Sequence, residues 1–352
     1  MSNQSEIFKK FEKLFVRPGS VQVDLTNRCN LNCIYCYNRV NLLDKNRKEL
    51  SDNEWKFVNS KIITQLNPLV VTFSGGEPFL RFRLLINLSR RLKEKEIHVH
   101  INTNGLLVYK DKAKELKKFD INQLNINIDS FKKQDFLRRG KGLIPKLSES
   151  LRDLKKYFYP QRISISCVVN KLNYREILDI ANFVKANDFK EIHFLDMIPC
   201  MAADKKLLLS KKEWLEFFEL YKKVREIGVQ IRPNHALLFL DEFKEQVKVP
   251  FCMGGRFKMV ITASGQIVPC NYFKKKEFLC GNALKDDLLK VWKNSSMMKK
   301  FRYFVPGEKK CQNCDFLNLC VGGCRAFALT VLGDAFKADP YCLLYDLKNA
   351  AK

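Results

Sequence analysis

The sequence predicts an α/β protein that ends in a small Cys-rich α+β domain. Strand and helix signals alternate six times between residues 21 and 198, which is typical of parallel strands joined by right-handed crossovers. The 352 residues exceed the usual size of one domain. Eight of the 13 cysteines follow residue 250, so the composition changes abruptly there. These observations predict a main domain over residues 21–249 and a second domain over residues 250–352.

An N-terminal extension over residues 1–20 precedes the first predicted strand. Its apolar residues recur at helical spacing among lysines. They are Ile7, Phe8, Phe11, Leu14 and Phe15. We expect this helix to pack on the main domain, and binding to a membrane surface is the alternative.

The main domain is predicted to contain six strands that alternate with helices. Ser51 and Glu54 form a capping-box pattern that marks the start of its first helix. The predicted strands span residues 21–26, 69–73, 97–102, 124–129, 163–169 and 192–198. The predicted helices span residues 51–65, 79–96, 109–118, 174–187 and 210–227, followed by an extended segment over 229–232 and a short helix before Pro250.

The composition indicates a cytoplasmic protein. No run of about 18 apolar residues could span a membrane, and the first residues lack the pattern of a secretory signal. With 63 Lys and Arg against 38 Asp and Glu, the net charge is +25, which favours anionic partners. The lysines are spread along the chain and no nucleic-acid-binding motif is present, so a nucleic-acid partner is not expected.

Three cysteines lie within eight residues directly after the first predicted strand: Cys29, Cys33 and Cys36. A 4Fe-4S cluster normally takes four thiolates, and no fourth Cys follows for about 130 positions. One iron would therefore remain open for another ligand, as in a catalytic metal site with three protein ligands. A structural zinc site, which usually has CxxC pairs and four ligands, is the alternative. Disulfides would require an oxidising compartment.

This loop resembles the CxxxCxΦC signature of the radical S-adenosylmethionine (radical SAM) enzymes, with Tyr35 at the aromatic position Φ. The residues Ser74 to Pro78, which follow the second predicted strand, look like the GGE motif of that family. The resemblance implies a partial (β/α)6 barrel similar to a TIM barrel. It also implies that the open iron binds S-adenosylmethionine, whose reductive cleavage gives a 5′-deoxyadenosyl radical that abstracts a hydrogen atom from the substrate. Cys29, Cys33 and Cys36 would hold the catalytic cluster.

The same resemblance implies a set of cofactor-binding residues at the strand ends, where functional groups of such barrels collect. Glu77 and the backbone of the two glycines would hold the methionyl amino group. The amides would lie near the ribose or carboxylate, and the arginine would pair with the carboxylate. A turn or surface role is the alternative for each single Asn or Arg. The set comprises Tyr35, Ser74, Gly75, Gly76, Glu77, Asn104, Asn127 and Arg139.

Four further residues of the main domain have reactive side chains. Cys200 follows the sixth predicted strand and is a candidate donor of a hydrogen atom to a substrate radical. Cys167 lies within a strand and is expected to be a buried apolar residue. His98 and His100 share the inward side of their strand, but they lie at its start, so we expect them to serve in packing rather than in metal binding.

The C-terminal cysteines have the seven-Cys pattern of the SPASM domain, which carries auxiliary iron–sulfur clusters. A hairpin over residues 259–270 would bring Cys252 and Cys270 together. The resemblance implies two auxiliary clusters, and two zinc sites are the alternative. One would be closed by Cys311, Cys314, Cys320 and Cys342, and the other held mostly by Cys252, Cys270 and Cys324. That second cluster would have an open iron or recruit Cys280.

Auxiliary clusters offer an outlet for an electron, so the sequence predicts an oxidative modification of a peptide or protein side chain. Asn271 stands where sulfatase maturases have an aspartate, which disfavours formylglycine formation. About twenty residues precede the first strand, so a peptide would be presented by a separate protein or recognised directly. Expected partners include a low-potential electron donor such as flavodoxin or ferredoxin. The alternatives are dehydrogenation or epimerisation of a small molecule and, remotely, a non-catalytic metal-binding adaptor.

Overall fold

The computed structural model describes residues 16–39, 48–200, 202–232 and 252–342. The predicted N-terminal helix, the short helix before Pro250 and Pro250 itself lie outside these residues. Among the described residues, no helix is both long enough and apolar enough to cross a membrane.

A single ten-stranded sheet forms the centre of the fold. Its first seven strands are parallel and adjacent in chain order, which confirms the predicted α/β architecture. They are β1 (Ser20–Thr26), β2 (Val70–Gly75), β3 (His98–Thr103), β4 (Gln123–Asn127), β5 (Ile163–Val169), β6 (Glu191–Asp196) and β7 (Ile231–Arg232). Beyond β1 the sheet continues with β8 (Lys258–Ile261), β9 (Gln266–Val268) and β10 (Gly281–Asn282).

The predicted hairpin is part of this sheet rather than a separate layer. Strand β8 pairs in parallel with β1, and Ser20 lies opposite Lys258. Strand β9 returns antiparallel to β8 through a turn in which Gly265 has a φ of +79°, a conformation that favours glycine. Met259, Ile261 and Ile267 are fully buried in the main core. The hairpin therefore fixes the C-terminal cysteines against the first strand.

Twelve α-helices are present in the described residues. Those of the main domain are α1 (Asp52–Lys61), α2 (Phe82–Lys93), α3 (Lys110–Lys118), α4 (Gln134–Arg138), α5 (Leu143–Tyr157), α6 (Ile177–Ala186) and α7 (Lys211–Glu226). The C-terminal helices are α8 (Leu288–Asn294), α9 (Ser296–Tyr303), α10 (Lys309–Gln312), α11 (Leu317–Cys320) and α12 (Arg325–Leu332). Ser51 caps α1 through the predicted capping box with Glu54. Helices α4 and α5 were not predicted from the sequence.

Most apolar side chains of the parallel strands lie on one face of the sheet and most polar ones on the other, because successive side chains of a strand point to opposite sides. Val21, Val23 and Leu25 of β1 are fully buried in the core with the helices. The alternate side chains form polar contacts from strand to strand on the other face. Asn125 Nδ2 donates to Asn102 Oδ1 at 2.7 Å, and a further contact joins Gln123 of β4 to β5. The inner face of the barrel is therefore hydrophilic.

Candidate active site at the strand ends

The three clustered cysteines lie on the loop that leaves the C-terminal end of β1. All three are half-buried. Burial raises the pKa of the Cys29 thiol to about 12, and the neighbouring Cys33 and Cys36 raise this pKa further. Burial also raises the pKa of Cys33 to about 11, whereas the positive charge of Arg138 lowers it. The thiols therefore lie close enough together to influence one another electrostatically.

A buried ion pair holds this loop in place. Arg138 Nη2 lies 2.6 Å from Asp129 Oδ2, and Asp129 is fully buried just after β4. The Tyr35 hydroxyl also donates to Asp129 Oδ2, while Asp129 Oδ1 accepts from the Val168 backbone N–H at 2.8 Å. The aromatic residue between Cys33 and Cys36 thus ties the loop to β4 and β5.

Nitrogen donors surround two of the loop sulfurs. The Leu31 N–H lies 3.4 Å from Cys29 Sγ, and Asn104 Nδ2 lies 4.0 Å from the same sulfur. Arg138 Nη1 lies 3.9 Å from Cys33 Sγ. Hydrogen bonds to sulfur are one means by which proteins tune iron–sulfur clusters. Three neighbouring thiols, two of them with such donors, fit a cluster in which each thiolate binds a different iron.

The described residues contain no set of three or more His, Cys, Asp or Glu side chains close enough to hold a single metal ion. A zinc ion requires its four ligands within about 2.0–2.3 Å of one point. A cluster of several irons spaces its thiolates farther apart, so a cluster does not require such a set.

The two glycines of the GGE motif pass directly beside the backbone that leads into the cysteine loop. The Gly76 N–H donates to Thr26 O at 2.7 Å, and the Glu77 N–H donates to Arg28 O at 2.8 Å. A Cβ atom on Gly76 would lie 2.0 Å from Arg28 O, and one on Gly75 would lie 2.4 Å from Thr26 O. Only glycine allows this close approach of the two strand ends.

The Glu77 side chain joins the end of β2 to the end of β3. It is 1% exposed and accepts from Thr103 Oγ1 and the Asn104 N–H, both at 2.8 Å. The Phe79 N–H donates to it at 3.0 Å. Burial raises its pKa, and these hydrogen bonds lower it. Three protein donors already bind the Glu77 carboxylate, so its observed contacts stabilise the fold. Contact between this carboxylate and the cofactor stays a prediction.

The other predicted cofactor-binding residues are distributed around the same strand ends. Asn104 Nδ2 donates to Asn30 Oδ1 of the cysteine loop at 2.8 Å. Ser74 Oγ lies 3.4 Å from the Tyr37 hydroxyl. Asn127 is half-buried at the end of β4. Arg139 is exposed and has a φ of +49° at the end of α4, so its neighbour Arg138, not Arg139, makes the buried contacts near the loop.

Two C-terminal residues contact the cysteine loop. Lys274 Nζ lies 2.6 Å from Asp24 Oδ2 of β1, and the Asp24 side chain is fully buried. The same ammonium group lies 5.0 Å from the centre of the Tyr37 ring. The rings of Tyr37 and Tyr272 are 5.5 Å apart. The C-terminal cysteine region therefore adjoins the strand ends that carry the loop.

Cys200 lies between these two regions. Burial raises its pKa to about 12; the charges of Asp204 and Cys36 act in the same direction, and Lys274 lowers it. Burial, followed by the neighbouring Cys200, Cys270 and Cys324, raises the pKa of Tyr272.

Cys167, in contrast to Cys200, is fully buried in the main core. His98 is exposed and His100 is half-buried. The prediction that His98 serves in packing is therefore wrong.

The C-terminal cysteines form two groups. Burial, Asp339 and then Cys252 and Cys270 raise the pKa of Cys324, so these three thiols are neighbours. Burial and Cys342 raise the pKa of both Cys311 and Cys320, and Cys314 also acts on Cys311. The two groups have the same members as the two predicted ligand sets, and their assignment as cluster ligands stays a prediction.

Cys280 lies apart from both groups. Its Sγ contacts Phe278 O at 3.6 Å. Burial raises its pKa to about 11, and Ser295 and Met298 lower it. Within the described residues, none of these influences comes from another thiol. An open iron and recruitment of Cys280 as a fourth ligand both stay predictions.

Comparisons with known proteins agree with this geometry. The model of the radical SAM superfamily matches residues 23–184. An iron–sulfur cluster-binding domain, SPASM, matches residues 252–315. The two matches together span more than half of the chain. The chain belongs to the radical SAM superfamily and has a SPASM domain.

Curated relatives of this radical SAM protein match over nearly their full length. An AdoMet-dependent heme synthase of Methanosarcina barkeri is 24% identical over 93% of this chain and 96% of its own. A PqqA peptide cyclase of Bradyrhizobium diazoefficiens is 24% identical over 94% of this chain and 87% of its own.

Solved structures share the fold. Streptococcus suis SuiB bound to its precursor peptide SuiA has a TM-score of 0.73 at 21% identity, over 96% of this chain and 79% of that chain. The anSMEcpe structure with bound AdoMet has a TM-score of 0.73 at 20% identity, over 95% of this chain and 100% of that one. As a radical SAM/SPASM protein, the chain uses a 4Fe-4S cluster and S-adenosylmethionine, with auxiliary iron–sulfur clusters in the SPASM domain.

Several residues at this radical SAM site were missed by the sequence interpretation. Asp129 and Arg138 fix the loop, and Tyr272 and Lys274 connect it to the SPASM domain. Asp129 is the last residue of a predicted strand, and Tyr272 and Lys274 follow a predicted ligand within four residues. The only sign of these residues in the sequence was their position next to recognised motifs.

Proposed function

We propose that this protein cleaves S-adenosylmethionine reductively and uses the resulting radical to oxidise a peptide or protein side chain. The observation that carries the proposal is the contact between the two cysteine regions. Lys274 and Tyr272 of the SPASM domain meet Asp24 and Tyr37 beside the cysteine loop. A substrate at the strand ends would therefore lie between the cysteine loop and the C-terminal cysteines.

When bound, the cluster and S-adenosylmethionine supply a radical that removes a hydrogen atom from the substrate. Cys29, Cys33 and Cys36 would hold that cluster. The buried Asp129–Arg138 pair fixes the loop on which they lie. The polar inner face of the barrel, which includes Asn102 and Asn125, would bind a substrate with hydrogen-bonding groups such as a peptide backbone.

The oxidative outcome follows from the position of the C-terminal cysteines. A substrate radical becomes an oxidised product only when a further electron leaves it. The group of Cys252, Cys270 and Cys324 adjoins Tyr272, so a cluster held there would accept that electron near the strand ends. The group around Cys311 would then pass it on to an external acceptor.

The names of relatives support a peptide substrate. The Bradyrhizobium relative is a PqqA peptide cyclase, and SuiB shares the fold in a complex with a precursor peptide. We expect a separate protein to present the peptide, unless the strand ends recognise it directly. A low-potential donor such as flavodoxin or ferredoxin would supply the reducing electron in the cytoplasm.

A small-molecule substrate is the second candidate. The Methanosarcina relative is a heme synthase, and Cys200 lies near both Cys36 and Tyr272. A thiol in that place could return a hydrogen atom to a small-molecule radical and complete an epimerisation. Replacement of Cys200 by Ala would then give oxidised or quenched product in place of the epimer, whereas full epimerase activity in the variant would exclude this role.

The first experiment uses the full chain reconstituted without oxygen. About twelve irons, with formation of 5′-deoxyadenosine under reductant, would support three clusters and radical chemistry. The Cys280→Ala variant is the matched control and should keep both properties. About four irons would contradict the auxiliary clusters, and absence of cleavage with every reductant would favour the adaptor alternative.

A further inference from the structure

Two arginines of the SPASM domain are buried without a carboxylate partner. Arg256 and Arg325 are each 1% exposed. The ion pairs formed between described residues include neither of them. Arg256 donates to three backbone carbonyls, those of Arg302, Cys252 and Phe304, at 2.8–3.1 Å. The hydrogen bonds of Arg325 go to the carbonyls of two adjacent glycines.

Both guanidinium groups contact the backbone at, or directly before, a predicted ligand. Arg256 Nη1 donates to the carbonyl oxygen of Cys252 at 3.1 Å, and Arg325 Nη2 donates to the carbonyl oxygen of Gly323, which precedes Cys324, at 3.1 Å. The two arginines also share a neighbour, since the Arg325 guanidinium lies 4.3 Å from the ring of Phe304. Burial lowers the pKa of Arg256 to about 10, and the positive charges of Arg325 and Arg302 act in the same direction.

Arg325 has donors that nothing in the described protein satisfies. Its Nε and Nη1 atoms are buried and have no hydrogen-bond partner. An arginine is always protonated in proteins, and a buried charge without a partner costs several kcal/mol. Asp339, which is also buried and accepts from the Cys324 N–H at 2.9 Å, offsets one of the two positive charges. The remaining charge and the unpartnered donors of Arg325 indicate a further anionic group that accepts hydrogen bonds at this position.

We infer that Arg256 and Arg325 are the counter-charge of an iron–sulfur cluster held by Cys252, Cys270 and Cys324, and that they raise its reduction potential. The inference rests on the proposed assignment of an auxiliary cluster to these cysteines. A thiolate-bound cluster is anionic, and its sulfurs accept N–H donors. One added electron makes the cluster more negative and breaks no bond. Nearby buried cations therefore stabilise the reduced form more than the oxidised form, and the cluster becomes a better acceptor for the electron of a substrate radical.

The test is a potentiometric titration followed by electron paramagnetic resonance. The full chain carries Cys29→Ala, Cys33→Ala and Cys36→Ala, so that only the C-terminal clusters respond. Arg325→Gln and Arg256→Gln remove charge, and Arg325→Lys keeps it. Arg162→Gln, which removes a partly exposed arginine of the main domain, is the matched control. The cluster of the Cys311 group is an internal reference.

We expect each Gln variant to make one midpoint potential more negative by at least about 59 mV, which for one electron is a tenfold change in the reduction equilibrium. The reference potential and the Arg162→Gln protein should not change, and Arg325→Lys should keep most of the native value. Loss of one cluster in the Gln variants with retention in Arg325→Lys would also support the inference.

Two results would overturn it. One is an unchanged potential in both Gln variants at native iron content. The other is loss of the cluster in all three variants, including Arg325→Lys, since shape rather than charge would then decide binding. A parent protein without C-terminal iron would instead contradict the proposed assignment of the auxiliary cluster, so the two failures are distinguishable.

Discussion

The cysteine loop and the C-terminal cysteine group both lie beside buried arginines, but the charges are balanced differently. At the loop, Arg138 is paired with the fully buried Asp129. At the C-terminal group, Arg256 and Arg325 contact backbone carbonyls. The potential of an iron–sulfur cluster depends on nearby charge and hydrogen bonding. Under the proposed function, the paired setting suits the strongly reducing cluster that would cleave the cofactor. The C-terminal setting, with two arginines against the buried Asp339, keeps an excess of positive charge and suits an electron acceptor.

The largest expected effect separates the two cysteine regions. Replacement of Cys29, Cys33 and Cys36 by Ala should reduce 5′-deoxyadenosine formation to the level without enzyme, because the cluster that cleaves the cofactor is lost. Replacement of Cys252, Cys270 and Cys324 should leave cleavage in place and abolish oxidised product. Chromatography of both products checks this, and equal loss of cleavage in the two variants would contradict a division of tasks.

The buried ion pair of the loop should contribute strongly to stability. Asp129→Asn would leave Arg138 buried without its counter-charge, so we expect the free energy of unfolding to fall by about 3–5 kcal/mol. The partly exposed pair of Arg162 and Asp120 is the comparison, and Arg162→Gln should cost about 0–1 kcal/mol. Denaturant unfolding of both variants measures the difference. Similar losses would mean that Asp129 acts through something other than burial of charge.

The close backbone contact between Gly76 and Arg28 should contribute less to stability than the buried ion pair. Its disturbance should still lower the stability measurably. Gly76→Ala places a Cβ atom 2.0 Å from Arg28 O, and overpacking of this kind costs about 1–3 kcal/mol. We also expect lower iron content, because the displaced backbone carries Cys29. Gly307→Ala is the matched control, since a Cβ there meets no atom within 4 Å. A native melting temperature and native iron content in Gly76→Ala would exclude the steric explanation.

The start of the strands is a third electrostatic setting, and its effect at neutral pH should be the smallest. Burial lowers the pKa of His100 to about 4; Arg232, Lys190 and His98 lower it further, and Glu191 raises it. The unfolded chain therefore binds a proton near pH 6.5, whereas the folded protein does not. Stability should fall by about 2–3 kcal/mol between pH 6.5 and 4.

His100→Gln should flatten this slope in denaturant unfolding measured at several pH values, and replacement of the exposed His98 is the control. The dependence of stability on pH below pH 4.5 has a different origin. Neighbouring cations and His193 hold the pKa of Glu191 at about 2 against the effect of burial. That contribution is lost as the pH falls from 4.5 toward 2. An unchanged slope between pH 6.5 and 4 in His100→Gln would contradict the assignment.

The sequence predicted those features that depend on local spacing. The alternation of strands and helices, the three cysteines after β1 and the glycines of the GGE motif are visible in short windows. Helix α5 was missed because Pro145 and Gly142 suggest a turn, although proline is tolerated in the first turn of a helix. Strand order followed from the parallel crossovers.

Features that depend on distant residues could not be predicted. Arg138 and Arg139 are adjacent and chemically identical, and only the fold shows which of them meets Asp129. Charged side chains are usually exposed, so nothing in the sequence indicates that Arg256 and Arg325 are buried. The pairing of β8 with β1 joins residues that are far apart in the chain, and no local pattern reveals it.

That pairing also sets an order of events during synthesis. Strand β1 is made first, but one of its edges stays uncovered until Lys258 to Ile261 have left the ribosome. Pairing between distant segments is slow and leaves unpaired edges exposed in the meantime. The cysteine loop follows this strand directly, so iron delivered to the nascent chain would meet a loop whose support is incomplete. We therefore expect cluster insertion to follow translation, once β8 has paired with β1.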